Sequence, residues 1–276
     1  MSKIYKNIPN AITCCNLLCG CLAIIKVYEG DLNWAAYLVG MALVFDFFDG
    51  FVARLLKVTS PIGKDLDSLA DCVTFGVVPG LMMYKLINAL NIHLDLSTLF
   101  SAITNTKVNA VTNLSYVALI IPVFSAIRLA RFNNDTRQTD TFIGLPTPAN
   151  AIFFASIPLI IGSDITSFQK FASEYLGVNG IDGFIVAESY ASMARIILAT
   201  LCVIFSLLLI AELPLIALKF KNYSFKDNFF RYLLILVSLI LFIGFKFIAI
   251  PIIILLYIVL SIVNNMINKT KNNQSV

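Results

Sequence analysis

Long apolar stretches, each close to the length needed to cross a lipid bilayer, recur along the whole chain. Eight such stretches are present, and polar segments separate most of them. A hydrocarbon core about 30 Å thick requires roughly 20 apolar residues in helical form. Apolar residues make up 59% of the sequence and charged residues only 13%, which is too little charge for a water-soluble surface. The sequence therefore predicts an all-α fold, a polytopic membrane helix bundle.

The predicted spans fall into two groups. Six belong to an expected catalytic core within residues 1–213, at 10–25, 32–56, 62–90, 114–132, 147–162 and 191–213. A basic linker at 214–228 leads to a C-terminal transmembrane hairpin at 229–266, and a polar tail follows at 267–276. The hairpin consists almost entirely of Ile, Leu, Val and Phe, so we expect it to face lipid.

Basic residues are distributed unevenly over the two sides of this predicted bundle. Eight spans place both termini on one side, and most of the 20 lysines and arginines fall on that side. Cytoplasmic loops carry an excess of these residues. We therefore expect an integral protein of the cytoplasmic membrane whose termini and active site face the cytoplasm. We expect membrane lipids as its surroundings and no nucleic-acid partner.

Four aspartates interrupt the second and third apolar stretches. Asp46 and Asp49 are three residues apart and share one helix face. Asp67 and Asp71 are four residues apart and share a face of the next helix. A carboxylate at the centre of a membrane helix costs about 2.5–3.5 kcal/mol on insertion scales. Ionisable residues in such positions are functional candidates, and the antiparallel hairpin is expected to bring these four together.

Carboxylates that converge in this way repel one another unless cations hold them. Ligation by oxygen alone, in a chain with a single histidine, favours Mg²⁺ or Mn²⁺. Two such ions about 4 Å apart clamp a phosphoryl group during its displacement. We therefore expect two ions at the four aspartates. The alternative is a structural role, in which the acids form buried salt bridges with Arg54 and Lys64.

The turn between these two helices has features that suit a phosphate group. Gly50 and Gly63 lack side chains where a ligand could approach the backbone. Ser60, followed by a proline, has the form of a helix N-cap that directs backbone N–H groups towards an anion. Arg54 and Lys64 add positive charge beside it. These five residues are the candidate ligands of a diphosphate.

The spacing of these residues matches a complete motif. Residues 49–71 fit the pattern D-G-x2-A-R-x8-G-x3-D-x3-D, and Asp46 stands three residues before it. This motif resembles that of the CDP-alcohol phosphatidyltransferases, and the resemblance extends over the first six spans. It implies that the four aspartates bind metal and that Asp71 is also the general base. It further implies contacts to CDP from Gly50, Arg54 and Gly63.

Other stretches resemble the branch of this family that uses serine as the acceptor. They are 67–79, 128–133, 142–150 and the C-terminal hairpin, while 9–13 resembles the family's opening segment near the nucleotide. The resemblance implies phosphatidyl transfer from CDP-diacylglycerol to L-serine, giving phosphatidylserine and CMP, and a homodimer. Glycerol phosphate, inositol phosphate or choline as the acceptor, and a donor with ether-linked chains, remain open.

Arg128 and Arg131 stand three residues apart at the end of the fourth span. Because a serine acceptor carries a carboxylate, we expect them to bind that group or a lipid phosphate. The alternative is a pair of anchors whose long side chains reach the lipid headgroups. A cation-coupled transporter would also bury carboxylates, but such folds repeat broken helices in two halves. Here the acids lie in one hairpin.

Overall fold

The computed structural model describes residues 3–58, 60–90, 114–134, 142–161, 181–216, 224 and 228–274. Side chains are described there except at 3–6, 61, 142, 181–191 and 267–274. Residues 91–113, which the sequence predicts as a polar loop, and most of the predicted linker at 214–228 lie outside this part. The described chain is almost wholly helical, so the predicted all-α class is confirmed.

The first part of the chain forms two long helices and a third, interrupted one. The elements are α1 (Lys3–Glu29), α2 (Leu32–Leu56), α3 (Pro61–Asp71), a π-helical segment (Cys72–Val77) and α4 (Val78–Ala89). Asp31 caps α2, because its side chain accepts a hydrogen bond from the N–H of Trp34 at 3.0 Å. Lys57 ends this helix in a left-handed backbone conformation with φ at 53°.

The second part adds five helices and one small sheet. A 3₁₀ helix (Leu114–Leu119) leads into α5 (Ile120–Asn134), and the later helices are α6 (Thr147–Ile161), α7 (Ile181–Ile210), α8 (Phe229–Phe245) and α9 (Ala249–Gln274). Strands β1 (Phe142–Ile143) and β2 (Pro214–Leu215) pair antiparallel, with Phe142 opposite Leu215. Helix α9 continues beyond Met266 into the predicted polar tail.

The interruption of the third predicted span directly follows Asp71. Within it the N–H of Val78 donates to the carbonyl of Val73, which is the wider spacing of a π-helix. Pro79 follows at once and has no N–H to donate. A π-helical turn adds one residue to the helical repeat, so α4 does not continue the face that carries Asp67 and Asp71.

Within the described part of the chain, six helices are long and apolar enough to cross a membrane, which makes this an integral membrane protein. They are Asn7–Glu29, Leu32–Leu56, Ile62–Ala89, Leu114–Asn134, Ser192–Ile210 and Phe229–Met266. The last of these contains α8 and α9 on either side of a turn at Lys246, and α6 is apolar but shorter. The count of eight spans and the boundary between core and hairpin stay predictions.

The interior of the bundle is built where α1 and α2 run side by side. Ala23 on α1 and Ala35 and Ala36 on α2 are buried, and small residues let membrane helices approach closely. Helix α2 also packs on α6, while α5 packs on α7 and on the π-helical segment. Deeper in the bundle, the rings of Phe153 and Phe205 stack with centroids 3.8 Å apart.

The C-terminal hairpin is tied to the rest of the fold through strand β2. The hydroxyl of Tyr257 donates to the carbonyl of Ile216 at 3.1 Å, and Ser261 Oγ accepts from the N–H of Ile216 at 3.2 Å. One turn further, the amide of Asn265 donates to the carbonyl of Pro214. Strand β2 pairs with β1 just before α6, so these bonds connect one face of α9 to the start of α6 through the small sheet. Many of the other apolar side chains of the hairpin are exposed on the surface of the bundle.

Gly20 lets α1 pass close to the π-helical segment. A Cβ atom at Gly20 would overlap the hydroxyl of Thr74 and lie 3.2 Å from its Cα. We expect Gly20→Ala to destabilise the fold by about 1–3 kcal/mol, because backbone must shift to admit the methyl group. The measurement is the apparent unfolding temperature of the purified protein in detergent, which should fall by several degrees.

Gly40→Ala is the matched control for this substitution. A Cβ atom at Gly40 meets nothing within 4 Å, and alanine is the better helix former. We therefore expect the unfolding temperature of this variant to stay the same or rise. Equal unfolding temperatures for the two variants would contradict the close approach at Gly20.

Candidate metal and phosphate site

Three of the four aspartates meet at one point between α2 and α3. One carboxylate oxygen from each of Asp46, Asp49 and Asp67 lies within 4.8 Å of the other two. Asp71 stands beside them, with its carboxyl group within hydrogen-bonding reach of Asp46. Asp49 and Asp71 are buried, and the other two are partly buried. The site is therefore a compact group of four acidic side chains, shielded from water by the surrounding helices.

Helix α1 holds two of these acids in place. The hydroxyl of Thr13 donates to Asp49 Oδ2 at 2.7 Å, and the amide of Asn16 donates to Asp71 Oδ1 at 3.2 Å. Thr13 and Asn16 are three residues apart and both are buried, so one face of α1 supplies both bonds. The hydroxyl of Thr74 in turn donates to the carbonyl of Asn16 at 3.3 Å. Both carboxylates are thus oriented by neutral donors.

Asn16 contacts the acidic group but is not among the site residues predicted from the sequence. It lies in an apolar stretch, where a buried amide needs a hydrogen-bond partner. The spacing of Thr13 and Asn16, at one turn of a helix, was the available signal. The sequence alone does not say which face of the neighbouring hairpin they meet.

The acids are not neutralised by the nearby basic residues. Arg54 is exposed, and its Nε donates to the carbonyl of Gly50 at 2.9 Å. The ammonium of Lys64 donates to the carbonyl of Asn133 at 2.9 Å. Within the described residues, neither base forms an ion pair with any of the four aspartates. The alternative of buried salt bridges is therefore wrong for this structure.

A cavity of about 540 Å³ opens beside the carboxylates. Ligand sites typically occupy about 300–1,000 Å³, so the volume of this cavity is in the range of a small-molecule site. Residues of α1, of the acidic group and of the phosphate turn line it, among them Pro9, Asn10, Thr13, Asp49, Gly50, Ser60, Gly63, Lys64 and Asp67. Arg54 is not among the lining residues. The cavity therefore joins the carboxylates to most of the predicted diphosphate ligands.

Gly50 in α2 and Gly63 in α3 have different surroundings. A Cβ atom at Gly50 would meet nothing within 4 Å, so the backbone there is open to a ligand. A Cβ atom at Gly63 would lie 2.9 Å from Asn10 Oδ1, so this glycine permits the close approach of α3 to α1. The sequence predicts that both glycines leave room for a ligand at the backbone, and only Gly50 fits this prediction.

The predicted N-cap at Ser60 is confirmed, but its effect on the backbone differs from the prediction. The Ser60 hydroxyl accepts from the N–H of Gly63 at 2.8 Å. The N–H of Lys64 donates to the carbonyl of Ser60 at 3.3 Å. Both N–H groups are therefore used within the first turn of α3, and they do not point freely at an anion. The Lys64 side chain and the space left by the missing side chain at Gly50 remain for that contact.

Arg128 and Arg131 lie in different surroundings. Arg128 is 7% exposed, donates to the hydroxyl of Thr147 at 2.8 Å and interacts electrostatically with Asp71. Its guanidinium also lies 5.7 Å from the ring centroid of Phe132. Arg131 is exposed and donates to the carbonyl of Ile210 at 3.3 Å, at the end of α7. The structure thus places Arg128 near the acids, while Arg131 resembles a surface anchor.

The donor set fits a hard divalent cation. Carboxylate oxygens within 4.8 Å of one another need only small side-chain movements to share an ion such as Mg²⁺ or Mn²⁺. Such an ion would sit next to the cavity that Gly50, Ser60 and Lys64 line. The fold and the site together define a membrane-embedded phosphotransferase.

The comparison with known proteins gives the family. The chain belongs to the CDP-alcohol phosphatidyltransferase family, whose model matches residues 6–181. This membership favours the transferase over the transporter alternative. The matched range contains the acidic site, the cavity and Arg128.

Several relatives are similar over about half of the chain. It is 32% identical over 158 residues to the CDP-diacylglycerol–serine O-phosphatidyltransferase of Bacillus subtilis, covering 56% of this chain and 73% of that protein. It is 36% identical over 148 residues to the Helicobacter pylori (strain J99) protein of the same name, covering 52% and 54%. The archaetidylserine synthase of Methanothermobacter thermautotrophicus is 30% identical over 154 residues, covering 55% and 58%.

The metal interpretation can be tested without an activity assay. We expect the purified protein to bind Mn²⁺, and Asp67→Asn to weaken that binding at least about tenfold, because one charged ligand is lost. Electron paramagnetic resonance of free Mn²⁺ measures the affinity. Asp65→Asn is the matched control, since Asp65 is exposed on the same helix and outside the acidic group. Equal Mn²⁺ affinities in the two variants would contradict the site.

Proposed function

We propose that this protein transfers the phosphatidyl group of CDP-diacylglycerol to L-serine, giving phosphatidylserine and CMP. The observation that carries the proposal is the acidic group of Asp46, Asp49 and Asp67 beside a cavity of nucleotide size. Family membership supports the phosphotransfer chemistry. The similarity to relatives named as serine O-phosphatidyltransferases supports the choice of acceptor.

The proposed step is a displacement at the phosphorus that carries diacylglycerol. The serine hydroxyl oxygen attacks this phosphorus and forms the new P–O bond. The P–O bond of the anhydride breaks, and CMP leaves with the electron pair. The hydroxyl proton passes to the carboxylate of Asp71, which acts as the general base. No oxidant or reductant is needed, and the atoms of the donor and the acceptor are all accounted for by the two products and the proton held by Asp71.

Metal binding is assigned to the four aspartates. We propose Mg²⁺ or Mn²⁺, as two ions, with ligands from Asp46, Asp49, Asp67 and Asp71. When bound, the ions stabilise the negative charge of the phosphoryl group that is transferred and of the departing CMP. The hydrogen bonds from Thr13 and Asn16 orient two of the carboxylates for this task.

The nucleotide half of the donor is assigned to the cavity. Gly50, Ser60, Gly63 and Lys64 line it and supply an open backbone segment and a positive charge. Arg54 stands one turn after Gly50 and holds the carbonyl of that glycine. We assign Arg54 to this half of the site through that contact.

The acceptor half is assigned to the neighbourhood of Arg128. This side chain is buried and interacts with Asp71, so it can meet the carboxylate of a serine whose hydroxyl faces the base. The exposed Arg131 suits a lipid phosphate at the membrane surface.

We further propose, from the distribution of basic residues, that the termini and the active site face the cytoplasm in the cytoplasmic membrane. The homodimer that the family resemblance implies is also part of the proposal.

A second donor is favoured by one comparison. The similar protein from Methanothermobacter thermautotrophicus is named archaetidylserine synthase. A donor with ether-linked chains differs from CDP-diacylglycerol in the lipid part only, and the same acidic group and acceptor site would serve it. The direct comparison is the rate with each donor at a fixed concentration of L-serine.

The acceptor is tested by CMP release from CDP-diacylglycerol in detergent micelles with Mn²⁺. We expect release with L-serine and none with glycerol 3-phosphate, inositol phosphate or choline. Removal of metal with EDTA should stop the release, and Mn²⁺ or Mg²⁺ should restore it. Release with a different acceptor alone would contradict the assignment of serine, and release without metal would contradict the role of the aspartates.

The general base is tested by Asp71→Asn. We expect this variant to lose at least about 100-fold in rate, because an amide cannot accept the hydroxyl proton. The variant should still elute as a folded protein and bind CMP, since Asp71 does not line the cavity. Wild-type rates from Asp71→Asn would remove this residue as the base.

A further inference from the structure

Most of the buried side-chain polar atoms without hydrogen-bond partners, among the described residues, lie on helices that pack against the π-helical segment after Asp71. About 90% or more of buried polar groups in proteins are paired, so each exception needs an explanation. Across the described residues, the buried side-chain atoms without a partner include Asn16 Oδ1, Ser125 Oγ, Arg128 Nε and both amide atoms of Asn150. Arg128 is 7% exposed and the other three are fully buried. None of these four residues lines the cavity assigned to the nucleotide.

Asn16 and Arg128 are connected to Asp71, the first by a hydrogen bond and the second by an electrostatic interaction. Asn16 donates its amide to Asp71, which leaves its oxygen Oδ1 without a partner. Arg128 interacts electrostatically with Asp71 and uses one terminal nitrogen for Thr147, which leaves Nε without one. An amide oxygen that accepts therefore lies next to the proposed base, and a guanidinium nitrogen that donates belongs to a side chain that interacts electrostatically with it.

The other two residues are one helical turn away from these contacts. Asn150 follows Thr147 by three residues on α6, so it shares the face that meets Arg128. Ser125 precedes Arg128 by three residues on α5 and faces the π-helical segment, where a Cβ atom at Gly76 would lie 3.0 Å from its Cβ. Helices α5 and α6 both pack against the π-helical segment, so these buried groups lie where the three elements meet.

The unpartnered atoms have the chemistry that a free α-amino acid requires. Arg128 Nε and Asn150 Nδ2 are donors and suit a carboxylate, while Asn150 Oδ1 and Asn16 Oδ1 are acceptors and suit an ammonium group. We infer that Asn150, with Ser125 and Asn16, completes an acceptor subsite around Arg128 that binds both charged groups of an amino-acid zwitterion. This inference rests on the proposed function, because Asp71 then faces the acceptor hydroxyl.

Burial makes such a subsite selective. An acceptor that lacks the carboxylate leaves the donors of Arg128 and Asn150 unpaired in a dry site, and one that lacks the ammonium group leaves the acceptors unpaired. Sites built to pair a polar group discriminate strongly against analogues without it. Ethanolamine and 3-hydroxypropionate each lack one of these groups. We expect both to be used at least about 100-fold less efficiently than L-serine by the wild-type protein.

The test compares KM values in Asn150→Ala. We expect the KM for L-serine to rise about 10–100-fold, because two hydrogen bonds to the acceptor are lost. The KM for CDP-diacylglycerol should change by less than about twofold, since Asn150 does not line the nucleotide cavity. Asn33→Ala is the matched control. Asn33 also has a buried amide oxygen without a partner, but it stands at the start of α2, and its removal should leave the KM for L-serine unchanged.

A second variant separates recognition from folding. Asn150→Asp preserves the size of the side chain and replaces the donor with a negative charge, so it should repel the serine carboxylate. We expect the preference for L-serine over ethanolamine to fall in this variant. The unfolding temperature and CMP binding of each variant report whether the fold is intact. If Asn150→Ala does not fold, the same comparison of acceptors in Asn150→Asp and Ser125→Ala decides the question.

The outcomes distinguish this inference from the function on which it rests. Serine-dependent transfer in the wild type, with an unchanged KM and acceptor preference in the folded variants, would overturn the subsite alone. Transfer to choline or glycerol 3-phosphate but not to L-serine would overturn the proposed function and the subsite together. A selective rise in the KM for L-serine would support both.

Discussion

Four carboxyl groups in membrane-spanning helices repel one another, and the fold must hold them together against that repulsion. Two uncharged donors on one face of α1 stabilise the arrangement in part: Thr13 donates a hydrogen bond to Asp49, and Asn16 donates one to Asp71. Arg54 and Lys64 donate to backbone carbonyls instead of pairing with the acids, so divalent cations are the partner that we propose for the four carboxylates. Bound divalent ions would offset the repulsion, and the same charges would stabilise the transition state of phosphoryl transfer.

The surrounding architecture follows from this requirement. Gly20 brings α1 close to the π-helical segment that begins after Asp71, which allows Asn16 to reach the carboxylate. Asp49 and Asp67 line the cavity that we assign to the nucleotide, while Arg128 interacts electrostatically with Asp71. The proposed base therefore stands between the half of the site assigned to the donor and the half assigned to the acceptor. The last helix supports the acceptor half indirectly, because it holds β2, which pairs with β1 ahead of α6.

The sequence predicts most of the acidic site because helical periodicity alone places its members. Spacings of three and four residues put Asp46 with Asp49 and Asp67 with Asp71, and a short turn brings the two faces together. The same periodicity places Arg128 and Arg131 on one face, yet one is buried and the other exposed, since the rotation of α5 depends on its packing against other helices. The contact of Asn16 with Asp71 was missed for the same reason, because it joins two helices that are distant in sequence.

The most direct measurement is the ³¹P hyperfine coupling of Mn²⁺ bound to the purified protein, recorded by pulsed electron paramagnetic resonance before and after addition of CDP-diacylglycerol. The account predicts that a phosphorus coupling appears with the donor, because the metal and the diphosphate share one site at Asp46, Asp49 and Asp67. Mn²⁺ that is bound by the aspartates but shows no phosphorus coupling when the donor is bound would contradict it.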